Sequence, residues 1–282
     1  MGVRYRLGVS GFVAERGNRH DWAWLAAFPV RHFELSTLYA GEELAEALGR
    51  LRPASFGVHW PLRAPSAPAA GLAEPLLLQS SRAAFHSELQ AIHAALRGSG
   101  AAYVLVHFPQ RGEAWPDPPE LEARLELLAG LATELGLEVL LEPKERLIAP
   151  GGLSGFVQRV PLLPPGVALC LDTSDWRTAA HHLGCGPEPL AGRAAAFHLH
   201  SMHVRPESGG HYLHAPPWVE PGPEPAWPEV LQPEPGELQL QAARERVVTV
   251  QVELDPRYAA RLPDSLRAVR RRLGALGWVE EA

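Results

Sequence analysis

The chain of 282 residues has only two cysteines, Cys170 and Cys185. They form neither a CxxC pair nor a zinc-finger spacing, which excludes a disulfide scaffold and a structural zinc module; both read as free thiols in a reducing compartment. No apolar run reaches the roughly 18–20 residues of a membrane span. The opening Met1-Gly2-Val3-Arg4-Tyr5-Arg6 lacks the apolar stretch of a secretory signal. Arg6 stands where a myristoylation motif wants Ser or Thr, so the expected location is the cytoplasm. Positive charge is not in excess either. The 26 Lys and Arg against 32 Asp and Glu leave a net charge of −6, which gives no general attraction to nucleic acid. Lysine itself is almost missing: Lys144 is the single one, and every other basic side chain is Arg.

What is present suffices for a folded core, with 46% hydrophobic and 21% charged residues. Short apolar or β-branched runs occur at Tyr5–Ser10, His32–Ser36, Ser55–Trp60, Ala102–Phe108, Leu137–Glu142, Val167–Asp172, Ala195–His200 and Val247–Glu253. Between them lie leucine-rich stretches with helical spacing: Leu44, Leu48 and Leu51; Phe85, Leu89, Ile92 and Leu96; Leu121, Leu125, Leu128 and Leu131; Leu266, Val269 and Leu273. Strands alternating with helices predict parallel βα units, and eight in a chain of this length predict an α/β protein of one domain over residues 1–282, a closed (β/α)8 TIM barrel. Two segments depart from the rhythm. Pro61–Pro75 is rich in Pro and Ala, and Ala215–Glu237 is Pro-rich and acidic; both are expected to leave from carboxyl strand ends as a rim, a lid or a proline-stiffened surface loop.

The strand ends carry the chemistry. The second run holds Glu34, the third ends in His59, the fourth in His107, the fifth in Glu142-Pro143-Lys144, the sixth in Asp172-Thr173-Ser174-Asp175, the seventh in His198-Leu199-His200, and the eighth in Glu253. In a parallel barrel these ends converge on one mouth. Alternation along a strand puts Glu142 with Lys144, His198 with His200, and Gln251 with Glu253 on common faces, while Val250, Val252 and Leu254 turn to the helices. So many carboxylates and imidazoles in one mouth repel or stay unpaired unless a cation sits among them, and such donors suit borderline and hard divalent metals. Trp22 and Trp24 read as packing residues, Trp60 as a site wall or a loop anchor, and Arg267, Arg270, Arg271 and Arg272 as a solvated helix face.

In this order and spacing the motifs resemble the xylose-isomerase-like TIM-barrel superfamily, which includes endonuclease IV (AP endonuclease family 2) and the sugar isomerases and epimerases. Against the endonuclease IV pattern, His59, His107, Glu142, Asp172, His198 and Glu253 fall on matching positions. His211 lies near the family's Asp and His214 near its following His. The resemblance implies zinc, up to three ions, on these side chains. Asp175 stands where that motif has His, and Ser201 where the family often has Asp. Against the sugar isomerases, Glu142, Asp172, His198 and Glu253 can supply a metal core, and Glu142-Pro143-Lys144 is similar to a motif in which the Glu holds metal and the Lys contacts a substrate oxygen.

Three functions stay open. The first is an isomerase or epimerase of a sugar or related polyol, dependent on Zn, Mn, Mg or Co, that removes a proton next to a carbonyl. Its candidate catalytic residues are Glu142, Glu253 and Lys144; its candidate ligands are Glu142, Asp172, His198, Glu253, His59, His107, Asp175, His200, His211 and His214. Glu142 and Glu253 are expected on opposite sides of the barrel, as ligand and acid/base. The second is a zinc phosphodiesterase acting at abasic DNA, favoured by the surplus of histidines and opposed by the acidic net charge. The third is a non-catalytic barrel with a degenerate metal site, which rests on Asp175 and Ser201.

Overall fold

A computed structural model describes residues 2–16, 19–35, 42–60, 81–108, 118–143, 163–173, 192–204, 212–219 and 230–281. Eight parallel strands form its centre: β1 (Arg4–Ser10), β2 (His32–Leu35), β3 (Ser55–His59), β4 (Tyr103–Phe108), β5 (Glu138–Pro143), β6 (Val167–Asp172), β7 (Ala194–Leu199) and β8 (Val247–Val252). Each pairs with its neighbours in chain order, and β8 returns to pair with β1, with Arg4 beside Val247 through Val9 beside Val252. The ring is therefore closed, as the alternation predicts, and the strand bounds agree with the sequence reading to within a residue wherever they are described.

Alternation along these strands separates two apolar cores. Outward residues such as Val104, Val106, Val139, Leu141, Val250 and Val252 are buried against the helices. Inward residues form a smaller core within the lumen from Leu105, Leu140, Cys170 and Ala196, joined by Tyr103. The helices follow from their spacing. In α3 (Arg82–Leu96) the Ser81 hydroxyl caps the amino end by accepting from Ala84 N, and Phe85, Ile92 and Leu96 line the buried stripe. α1 (Trp22–Leu25), α2 (Glu42–Leu51) and α4 (Pro118–Leu135) surround the same barrel. So does α6 (Leu262–Ala275), whose Arg267 and Arg270 reach Asp264 and Glu280 on the exposed side. Val279–Glu280 adds to the lower part of β1, beside Arg4 and Tyr5, while β2 pairs with its upper part. No helix among the described residues is long and apolar enough to cross a membrane.

The segment Ala215–Glu237 is not simply a loop. Ser201–Val204, Tyr212–Ala215 and Val230–Leu231 make a small antiparallel sheet beyond β7, and Pro235 opens α5 (Pro235–Gln241). The prolines flank these elements rather than prevent them, and Pro235 sits in the first turn of a helix, where proline is tolerated. Residues 220–229 within the segment, and Pro61–Pro75, lie outside the described residues.

Candidate metal centre

Register brings the chemistry to one level. His107 is the strand partner of Glu142, and Asp172 of His198. Glu253 follows β8 two residues beyond Gln251, which pairs with His198. Around the ring, Nε2 of His59 and of His107 lie 3.0 Å apart and face Glu142 Oε2 at 3.5 and 3.1 Å. His198 Nδ1 is 3.0 Å from Glu142 Oε1 and 3.4 Å from Glu253 Oε2, while its Nε2 lies 3.1 Å from the Glu34 carboxylate. Glu142 on β5 and Glu253 just beyond β8 stand three strands apart around the ring rather than on opposite sides, and their oxygens meet at a single imidazole nitrogen.

A second layer sits above. The antiparallel register sets His214 opposite Met202, and His200 precedes Met202 by two residues. The His200 and His214 rings stack at 3.9 Å between centroids. His200 Nε2 is 2.9 Å from Asp172 Oδ2, and His214 Nδ1 is 3.3 Å from Glu253 Oε2. Ser201 takes an anchoring role instead: its hydroxyl donates toward Pro216 O and Gln232 Oε1, and Gln232 also accepts from Trp218 N. Trp60 is a loop anchor rather than a site wall, because its indole donates to Glu88 Oε2 on α3.

Glu34, Glu142, Asp172, His198, His200 and Glu253 are all buried. Burial raises carboxylate pKa values, but His214 and His198 outweigh it at Glu253 and hold that carboxyl well below its ordinary range. The His198 and His59 imidazoles do the same, less strongly, at Glu34. Burial opposes charge on His198, yet Cys170 and the carboxylates of Glu34, Glu142 and Glu253 together hold its pKa well above the usual value. His200 is raised against burial by Asp172. The Cys170 thiol, in the lumen below, is pushed up to about 12 by burial, which makes it inert.

These donors fit a divalent cation on their own geometry. Among the described residues, four groups have ligand atoms within 4.8 Å of one another: Glu142, Asp172 and His198; His59, His107 and Glu142; Asp172, His200, His214 and Glu253; and Glu34, His59 and His198. Among the described residues, His198 Nδ1 and His214 Nδ1 are buried without a well-aligned hydrogen-bond partner although carboxylate oxygens stand close. A nitrogen aimed at carboxylates without hydrogen-bond alignment is a site for positive charge, either a proton or a metal. Of the residues singled out in the sequence, His59, His107, Glu142, Asp172, His198, His200, His214 and Glu253 are brought together; Lys144, Asp175 and His211 lie outside the described residues. Glu34 was visible only as a strand-end acid, and its contact with His198 was not.

No family model matches the chain, and no curated protein matches it in sequence. Solved structures do align with it. A xylose isomerase-like TIM barrel/4-hydroxyphenylpyruvate dioxygenase fusion protein superposes at a TM-score of 0.64 and 14% identity over 94% of this chain; the chain spans 42% of that protein's length. The IOLI protein, solved with a bound zinc atom, gives 0.56 and 14% over 96% of this chain and 97% of its own. The 3-keto-D-glucoside 4-epimerase of E. coli gives 0.54 and 14% over 95% and 99%. A family 2 AP endonuclease from Brucella melitensis shares the fold at 17% identity. In fold, this chain is a (β/α)8 TIM barrel, similar to solved xylose isomerase-like barrels.

Proposed function

We propose that the chain is a divalent-metal-dependent isomerase or epimerase acting on a sugar or related polyol. The observation that carries this reading is the convergence of Glu142 and Glu253 on His198 Nδ1, with Asp172 as the strand partner of His198. These four residues would hold the ion, and the zinc of the IOLI protein and the activity of the E. coli epimerase support the assignment by analogy of fold. A divalent ion there supplies Lewis-acid stabilisation of negative charge developing on a substrate oxygen.

The chain's own groups do the rest. Glu142 and Glu253 are the candidate acid and base, each within reach of the same small volume, so that one removes a carbon-bound proton and the other returns one. His59 and His107 flank Glu142 and can orient substrate hydroxyls through their Nε2 atoms. Lys144, on sequence grounds, adds a donor beyond Glu142 that an Arg cannot replace point for point.

The zinc phosphodiesterase reading is favoured by one observation, the additional His59–His107 pair on Glu142, since a sugar isomerase needs fewer imidazoles. The net charge of −6 weighs against it. The non-catalytic reading rests on Asp175, outside the described residues, and on Ser201, which anchors to Pro216 O and Gln232 Oε1 and offers no carboxylate. The test is metal analysis of protein purified without added metal, together with turnover of ketoses and aldoses and cleavage of abasic DNA. Sugar turnover with one bound Mn, Mg or Co supports the isomerase. Abasic-site cleavage with three zinc ions, and no sugar turnover, replaces it with the phosphodiesterase; neither activity leaves the non-catalytic barrel.

A further inference from the structure

A line of polar side chains runs through the barrel lumen beneath the candidate metal centre. Arg6 Nη1 donates to Ser55 Oγ at 2.9 Å. Ser55 Oγ lies 2.7 Å from His32 Nδ1, and His32 Nε2 lies 3.2 Å from the Tyr103 hydroxyl. Tyr103 donates to Glu34 Oε2 at 2.9 Å, and the same oxygen is 3.1 Å from His198 Nε2. His32, Glu34 and His198 are all buried, with Tyr103 at their centre.

The direction of every bond follows from donor inventory. Glu34 is a carboxylate and accepts only, so Tyr103 spends its single proton on it. The Tyr103 oxygen must then accept from His32, which puts the His32 proton on Nε2. Burial, with help from Arg6, lowers the His32 pKa to about 3, so the ring is neutral and Nδ1 is an acceptor for Ser55. Arg6 can only donate, and it completes the order. At the other end Glu34 also accepts from His198, which keeps a proton on Nε2 and makes Nδ1, facing Glu142 and Glu253, the position that gives up its proton to a cation.

The barrel has been shaped around this line. A Cβ on Gly57 would meet the Tyr103 ring at 2.1 Å, and one on Gly8 would meet Gln251 Oε1 at 2.2 Å and His32 Cδ2 at 2.8 Å. Both glycines sit inside strands, where glycine otherwise weakens a sheet and marks a close approach.

We infer that the Arg6–Ser55–His32–Tyr103–Glu34 line is a positioning relay that fixes the tautomer and ring orientation of His198, so that Nδ1 is the nitrogen offered to the metal. This rests on the metal reading above. Tyr103 and His32 touch neither substrate nor ion; they act through Glu34. Carboxylate partners of metal-bound histidines set ring orientation and ligand basicity, and removing such support typically weakens metal affinity about 10–100-fold. Ser55 matters for a separate reason. Without its hydroxyl, His32 is free to carry its proton on Nδ1, and the Tyr103 hydroxyl can then turn from Glu34 to His32 Nε2.

The test is Zn²⁺ and Co²⁺ affinity, measured by competition with a chromophoric chelator, on wild type, Tyr103→Phe and Ser55→Ala, with urea unfolding of each metal-free protein alongside. Tyr103→Phe is expected to keep the number of bound ions, to weaken affinity about 10–100-fold, and to change the Co²⁺ ligand-field spectrum. A merely structural Tyr103 would lower metal-free stability with affinity and spectrum unchanged, and that result overturns the inference. Where Tyr103→Phe does not fold, Ser55→Ala decides in the same assay: weakened affinity supports the relay, wild-type affinity overturns it. Wild type that takes up neither ion removes the metal reading and the relay with it, an outcome distinct from failure of the relay alone.

Discussion

Replacing Glu142 by Gln preserves the shape of the side chain but removes one charge from a point shared by three imidazoles, His59, His107 and His198. If Glu142 is both ligand and acid/base, Glu142→Gln lowers sugar turnover by about 10²–10⁴ and lowers bound metal in the same preparation; turnover retained within a few-fold would dissociate this residue from the chemistry. Lys144→Met makes the complementary case. Loss of a charged donor at a developing oxyanion costs about 10²–10³ in rate, with Lys144→Arg recovering only part, whereas unchanged turnover excludes the lysine. His32 yields a prediction of another kind, about pH. Its pKa falls from 6.5 to about 3 on folding, so the unfolded chain binds a proton over that interval and the folded chain does not. Stability from this group is therefore complete above pH 6.5 and is lost as pH falls toward 3, at about 1.4 kcal/mol per pH unit. His32→Gln removes that slope. Urea midpoints at several pH values between 4 and 6 check it: wild type loses stability faster than the variant, and parallel curves would mean that His32 titrates alike in both states.

At the scale of the element, the strands of the barrel read directly from the sequence because both sheet faces are apolar and the helices between them have clean spacing. Their carboxyl ends read as well, since position along a parallel strand is position in the mouth; that is why His59, His107, Glu142, Asp172, His198 and Glu253 could be grouped before any coordinates. The lumen did not read. His32 shares β2 and its inward face with Glu34, but Tyr103 begins β4, 69 residues beyond Glu34, and only the folded ring brings the three together. The available signal was glycine: Gly8 and Gly57 interrupt strands otherwise built of bulky residues. The small sheet that carries His214 was also hidden, its short strands lost in a proline-rich stretch. Gly57→Ala tests the packing directly. A methyl group 2.1 Å from the Tyr103 ring must displace it, and overpacking of this kind costs about 1–3 kcal/mol. Urea unfolding should show that loss together with weakened metal affinity; a stability loss with metal affinity intact would mean that the ring moves without disturbing Glu34.

At the scale of the whole molecule the ring concentrates a cost in one place. Four carboxylates, Glu34, Glu142, Asp172 and Glu253, are buried at the mouth on four different strands or their immediate extensions. In the metal-free chain, His198 and His200, both held toward their charged forms by the carboxylates beside them, offset that charge at the expense of burying further ions. A divalent cation takes over the same role and ties the segments that carry its ligands to one another. Binding to the folded chain alone adds stability by mass action, about 2.7 kcal/mol at a free-ion concentration 100 times the dissociation constant. Zn²⁺ or Mn²⁺ should therefore move the urea midpoint of wild type upward by that amount, a chelator should return it, and Glu142→Gln should show a smaller response at the same ion concentration. The sign of the variant's own shift discriminates further. With one buried carboxylate neutralised, metal-free Glu142→Gln loses less of its stability to charge repulsion, so it should stand closer to, or above, the metal-free wild type while falling behind it once the ion is present. A crossing of the two stability curves with metal concentration is the expected result. Parallel curves, with the ion stabilising both proteins equally, would place the cation away from Glu142 and leave the carboxylates of the mouth to be balanced by protonated imidazoles alone.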